Sequence, residues 1–277
     1  MITVATILGL EHSGTTLLAR MLGAHSKAFA IGGLKNFTAF AEGRKACSCG
    51  ETPATCVFWT TVLEEIRSRG NDPQILAAEL AAHRRNPALA RDAARIIVEA
   101  ISAASGMSLI VDASRDSTWG ALLKQSPSIR VVPIHIFKTP MAQLASAKRK
   151  QRSLYAEIGK YISRSRDCRA ETSRSSSSVT LAYDELCSAP ETSLASIMDA
   201  VGLPLEHHQV TGWGAEPLHM IGGNRMRSST SSKVERDEHW KKLLSGFEVA
   251  LARLGGGVTF ALNERESLRE TRSREDV

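Results

Sequence analysis

The segment that most constrains this chain lies near its start, where a β-branched apolar run, Thr3-Val-Ala-Thr-Ile-Leu8, meets Gly9-Leu-Glu-His-Ser-Gly-Thr-Thr16 and then Leu17-Leu-Ala-Arg-Met-Leu22, which has helical composition. Strand, glycine loop and helix in that order carry the glycine spacing of a Walker A loop, with Thr15 at the position of the usual Lys. Such a loop wraps backbone N–H groups around a phosphate, and the dipole of the following helix favours the same anion. Without the Lys, and without a second carboxylate motif for magnesium, the loop does not suit an ordinary kinase or ATPase. The plainer reading is a strand-to-helix turn whose glycines relieve backbone strain.

The rest of the chain repeats the pattern. Ser108–Asp112 and Ile129–Phe137 are apolar runs without alternation, as strands covered on both faces should be. Each precedes a helix-compatible stretch, Ser117–Gln125 and Met141–Gln151. Val179–Tyr183 is a fourth strand candidate, followed by a helix over Pro190–Val201 with proline in its first turn. Alternating strands and helices predict an α/β fold of three layers, P-loop-like, with a central parallel sheet flanked by helices. One domain over residues 1–262 is expected, in which residues 34–106 form a helical and cysteine-bearing insertion over the sheet edge. Arg164–Ser178 reads as a mobile surface loop, and 263–277 as a charged, disordered tail.

The chain has 35 Lys and Arg against 29 Asp and Glu, a modest excess that suits an anionic ligand and falls short of a nucleic-acid binder. The stretch from Lys148 to Arg174 holds nine basic and three acidic residues, a local excess equal to the net charge of +6. No apolar run approaches a membrane span. Met1–Leu10 lacks a basic leader, and five cysteines, an odd number, fit a reducing compartment, so a cytoplasmic protein is expected.

The residues Ser13-Gly-Thr-Thr-Leu17 resemble the 5'-phosphosulfate loop of sulfotransferases that use 3'-phosphoadenosine 5'-phosphosulfate (PAPS). In that family a Lys or Arg precedes the Ser-Gly pair; here the position is His12, as in some bacterial members. The resemblance implies that His12, Ser13, Gly14, Thr15 and Thr16 hold the 5' side of the donor. The family also places an Arg at the end of a later strand and a Ser eight positions on, both on the 3'-phosphate, and Lys138 and Ser146 fall at that spacing. Lys for Arg keeps the charge and gives up bidentate geometry. Leu181-Ala-Tyr-Asp-Glu-Leu186 resembles the stretch that sets a Tyr, here Tyr183, near the adenine. His219-Met-Ile-Gly-Gly-Asn-Arg-Met-Arg227 is similar to the C-terminal Gly-Asn segment, with Arg225 and Arg227 as candidates to close over the 3'-phosphate. The function this implies is transfer of a sulfuryl group from PAPS to a hydroxyl or amine of a small-molecule, glycan or lipid acceptor, with no metal required. The alternative is a sulfotransferase-like protein that binds the nucleotide and has lost turnover.

Sulfuryl transfer needs a base, because the acceptor loses a proton as the leaving phosphate gains charge. Several relatives place a Glu shortly after the loop helix; here Ala30-Ile-Gly-Gly-Leu-Lys35 has Gly33 and no carboxylate. Asp112, expected at the carboxyl end of its strand, is the substitute assigned beside His12, and bonding to loop N–H groups around Ser114 is its equally plausible role. Glu11 would repel the ligand unless it points away, and His135 reads as a satisfied core residue within its strand. Finally, Cys47-Ser-Cys-Gly50 and Cys56 gather three thiols. Structural zinc takes four ligands and the nearest histidine in sequence, His83, lies well downstream, so no metal is assigned. Packing beside Trp59, or a disulfide from Cys47 or Cys49 to Cys56, are the other readings.

Overall fold

The computed structural model describes residues 1–215 and 218–275, with side chains to residue 268. Five strands, β1 (Ile2–Leu8), β2 (Ala28–Ala30), β3 (Leu109–Arg115), β4 (Ile129–Phe137) and β5 (Val179–Ala182), form one parallel sheet in the order β2-β3-β1-β4-β5. The four expected strands are present. β2 is an addition, an edge strand of three residues and too short for a pattern.

Because side chains alternate across a strand, β1, β3 and β4 each feed two cores. Val4, Ile110, Ile129 and Val131 pack on one side, against α3 (Val57–Ser68), α4 (Pro73–Ala81), α5 (Pro87–Ser105) and α6 (Ser117–Leu123) together with Phe37 and Phe40 of the short α2 (Phe37–Ala41). Ala5, Ile7, Val111, Val132 and Ile134 pack on the other, against α1 (Thr15–Gly23) and α10 (Pro190–Val201). Three layers therefore stand as expected. The segment 34–106 does more than cover an edge, since it supplies most of one face.

On the β4–β5 side, α7 (Pro140–Arg149), α8 (Leu154–Thr172) and the C-terminal helix α13 (Gly246–Glu275) pack together, while α9 (Tyr183–Ser188), α11 (His207–Thr211) and α12 (Trp240–Leu243) are short connectors. Two sequence expectations change here. The surface loop expected from Arg164 is the second half of α8: Ser165 and Cys168 are buried, and Arg169 donates to Asn263 Oδ1 at 2.5 Å. The segment expected to start a disordered tail continues α13 instead, with Asn263 fully buried and its Nδ2 3.4 Å from Ser165 Oγ. Polar groups bonded across two helices replace the apolar stripe that would have announced them.

Candidate functional site

All five strands run parallel, so their carboxyl ends share one rim, and the strand order reverses about β1 there. The loop after β1 occupies this point. Gly9 has φ 148°, and a Cβ on it would lie 2.4 Å from the Ile136 carbonyl oxygen, so the loop can pass β4 only with glycine there. Gly14 has φ 99° and lies against the Tyr183 ring, where a Cβ would meet Cδ2 at 2.4 Å. His12 holds φ 67°, a left-handed conformation uncommon outside glycine. Ser13 Oγ turns inward and donates to the Leu10 carbonyl at 2.9 Å. α1 begins at Thr15, and the amides of its first turn have no carbonyl to pair with inside the helix.

These amides face a cavity of about 320 Å³. His12, Gly14, Thr15 and Thr16 line it, and so do five cations, Lys35, Lys45, Arg115, Lys150 and Arg152, against the single carboxylate of Glu11. Burial alone would raise the pKa of Glu11. Its hydrogen bond from Arg152 (2.9 Å) and the nearby Arg115 (3.6 Å) outweigh burial and hold it at about 2. Glu11 thus organises two arginines at the mouth of the cavity. Lys35 is pushed below its ordinary pKa by burial and then by Arg115, and His12 by burial and then by Lys150. Lys150 and Arg152 come from the basic stretch noted above; Lys35, Lys45 and Arg115 carried no motif.

The fourth wall arrives from far along the chain. Ile221 N donates to the Ile31 carbonyl at 2.9 Å, and Asn224 N to Thr16 Oγ1 at 3.3 Å, bringing Gly223 and Asn224 into the cavity lining. Arg225 and Arg227 line an adjoining hollow that shares Lys45, Gly223 and Asn224 with it. This segment is clamped by Arg20, fully buried on α1. Its guanidinium donates to the carbonyls of Met226 and Ser229 and lies 5.1 Å from the Trp213 ring centroid. Sequence reading missed Arg20, since nothing local marks an arginine on an apolar helix as a clamp.

Lys138 and Ser146 stand apart from the loop cavity. Lys138 is 7% exposed, at the end of β4. Its Nζ lies 3.8 Å from the Tyr183 ring centroid and 3.4 Å from Asp237 Oδ2, and it borders a second cavity with Phe137, Asp184 and Phe260. Ser146 is buried on α7. Tyr183 joins the two regions by touching both Gly14 and Lys138, and its hydroxyl donates to the Glu235 carbonyl at 3.0 Å.

Asp112 lies elsewhere than expected. β3 runs three residues past it to Arg115, so it is Arg115 that reaches the rim, and Asp112 is 1% exposed. Its Oδ1 accepts from Leu34 N (2.9 Å), Ser114 N (3.0 Å) and Ser114 Oγ (2.6 Å), while Oδ2 is buried without a partner. Burial pushes its pKa up. Ser114 Oγ in turn accepts from Lys35 N at 3.2 Å, so Asp112 fixes the turn that carries Lys35.

A parallel sheet with a glycine loop and a helix N-terminus at the reversal of strand order defines the P-loop-like class of α/β proteins. The sulfotransferase family model matches residues 5–207, and the chain belongs to the sulfotransferase family. No curated protein matches it. Among solved structures, it is similar to the sulfotransferase domain from the Synechococcus PCC 7002 olefin synthase, with TM-score 0.58 and 15% identity over 91% of this chain and 94% of that one. The sulfotransferase domain from the curacin biosynthetic pathway aligns equally well, with TM-score 0.58 and 15% identity over 91% and 96%. At such identity these likenesses speak for the fold. Among the described residues, no helix is long and apolar enough to cross a membrane.

Proposed function

We propose that this chain transfers a sulfuryl group from PAPS to a hydroxyl or amine of its acceptor. The observation that carries this reading is the loop cavity, where first-turn amides of α1 and five cationic side chains converge on a space held by one neutralised carboxylate. That field does the work that magnesium and the loop Lys do in kinases. The 5'-phosphosulfate lies on the amides of Gly14–Thr16, with Lys35 and Arg115 toward the transferred group; Arg225 and Arg227, expected on the 3'-phosphate, line the hollow that adjoins this cavity and are reassigned here to its flank. The 3'-phosphate goes to Lys138 and Ser146, with Tyr183 between the two anion positions and beside the adenine. Asp237 stands on Lys138 and, at 3.7 Å, on Arg149, so its carboxylate occupies the anion position that the 3'-phosphate would take.

Asp112 is a positioning residue in this reading, since its bonds hold the turn before Lys35. The base is His12. Burial keeps its imidazole neutral at pH 7, and a neutral ring nitrogen at the edge of the loop can take the acceptor's proton as the S–O or S–N bond to the acceptor forms and the S–O bond to the bisphosphate breaks.

The test is calorimetry of adenosine 3',5'-bisphosphate binding with and without a chelator, followed by label transfer from PAPS to acceptor pools. Binding that is indifferent to chelation, with labelled product, is the expected result. Binding without transfer to any pool would favour the nucleotide-binding alternative, and ATP binding that collapses on chelation would refute both.

A further inference from the structure

Three thiols and an imidazole meet beside the core on one face of the sheet, to which Cys47 and Cys56 belong. Cys47, Cys49 and Cys56 come from the loop before α3, and His219 comes from the segment that closes the cavity, 163 positions after Cys56. Their ligand atoms lie within 4.8 Å of one another: Cys56 Sγ is 3.2 Å and Cys47 Sγ 3.7 Å from His219 Nδ1, and Cys49 Sγ is 3.7 Å from Cys56 Sγ. Zinc bonded to sulfur at about 2.3 Å and to nitrogen at about 2.0 Å makes a tetrahedron with edges of about 3.8 Å between sulfurs and about 3.5 Å from sulfur to nitrogen. The observed separations bracket those edges, and the widest would close by about 1 Å on loading.

We propose that Cys47, Cys49, Cys56 and His219 form a structural zinc site that holds the cavity-closing segment to the cysteine loop. Packing of small apolar side chains accounts for Cys47 and Cys56, which are buried, but not for Cys49, an exposed residue whose thiol nevertheless points into the cluster. The frame around the four ligands is already built by groups that do not touch the metal. Trp59 Nε1 donates to the His219 carbonyl at 2.8 Å, Ser48 N to the Met220 carbonyl at 2.9 Å, Met220 N to Ser48 Oγ at 2.9 Å, and Gly50 N to the Cys47 carbonyl at 3.0 Å. Phe58 stacks on the His219 ring at 5.6 Å and fixes its plane. Four ligands of Cys₃His type with no open position make a closed site, structural and not catalytic. On loading, three thiols release their protons to solvent and the imidazole binds neutral. Sequence reading stopped at three ligands because it sought the fourth nearby, at His83.

The site sits four residues before Gly223 and five before Asn224, both in the wall of the loop cavity. Metal analysis of protein purified without chelators should give one zinc per chain. Replacement by cobalt should give a thiolate-to-metal charge-transfer band and the intense visible bands of a tetrahedral centre. Cys49→Ser and His219→Ala should lose the metal, and Cys49→His, which keeps a ligand, should retain it with an altered cobalt spectrum. Since the first two variants can fail to fold, the wild-type chain is also treated with a chelator and its thiols counted: three more should become reactive. Less than a tenth of an equivalent of zinc with no cobalt spectrum overturns the proposal. So does a Cys49–Cys56 disulfide in protein whose thiols were trapped at lysis.

Discussion

The Nζ of Lys138 lies 3.4 Å from the Asp237 carboxylate, a buried cation satisfied by an acid from a loop ninety-nine positions away. Burial pushes the Lys138 pKa down and Asp237 partly restores it. An acid that stabilises the free protein and, in the proposed reading, stands where the 3'-phosphate binds has opposite effects on folding and on binding. Asp237→Asn should therefore lower the melting temperature and tighten adenosine 3',5'-bisphosphate by about tenfold, the scale of one charge-assisted hydrogen bond. Melting curves and calorimetry on the same sample check both signs.

Ser146→Ala separates the two ends of the ligand. Loss of one hydroxyl bond to a charged oxygen is worth about 1.5 to 3 kcal/mol, hence at least about a tenfold loss for the bisphosphate. Adenosine 5'-phosphate, without the 3' group, should bind unchanged. Equal losses for both would remove Ser146 from the 3' position.

His12→Gln addresses the base. Turnover should fall by about 10² to 10⁴ while bisphosphate affinity at pH 7.5 stays within about tenfold. Since burial holds the imidazole below the ordinary histidine value, the wild-type rate should be level through neutral pH and decline only at a pH below the ordinary histidine range, as the ring takes up its proton. A variant with full turnover would exclude His12 as base.

Gly14→Ala tests the loop without touching a charge. A left-handed residue without glycine costs about 1 to 3 kcal/mol, and here the new methyl also meets the Tyr183 ring. Thermal stability should fall and binding of both nucleotides should weaken together, unlike Ser146→Ala.

His135 gives the chain an acid limb. It lies fully buried in β4 with neither ring nitrogen hydrogen-bonded, and burial, then Arg169, push its pKa to about 3. The unfolded chain binds a proton near 6.5 that the folded chain refuses, so stability falls as pH drops from 6.5 to 3, by up to about 1.4 kcal/mol per pH unit. Urea titrations of His135→Met across that range should show a shallower slope.

What could be read from sequence follows from how far a signal extends along the chain. β1, β3, β4 and β5 are apolar runs bounded by breakers and were legible; Ala28–Ala30 has three residues and no run at all. α8 buries Glu157, Ile158, Tyr161, Ser165, Cys168 and Thr172, a helical period written largely in polar residues, so hydrophobic periodicity could not reveal it. The glycine loop after β1 is local, and its place between strand and helix was legible. Arg20, Asp237 and His219 act on partners about a hundred or more positions away, and no pattern within one segment encodes them. Asp112 was misplaced by three residues of strand, enough to put it under the rim and Arg115 upon it.

The contact of Ile221 with Ile31 has a bearing on how the chain is made. A Cβ on Gly32 would lie 2.7 Å from the backbone of Gly222, so two stretches nearly two hundred positions apart meet main chain to main chain at the mouth of the cavity. During synthesis the sheet can be completed once Ala182 has left the ribosome, yet the cavity lacks a wall until Gly223 and Asn224 follow. A nascent chain therefore passes through an interval in which its scaffold is built and its cavity is open on one side, and that side closes only once the last fifth of the protein is being translated.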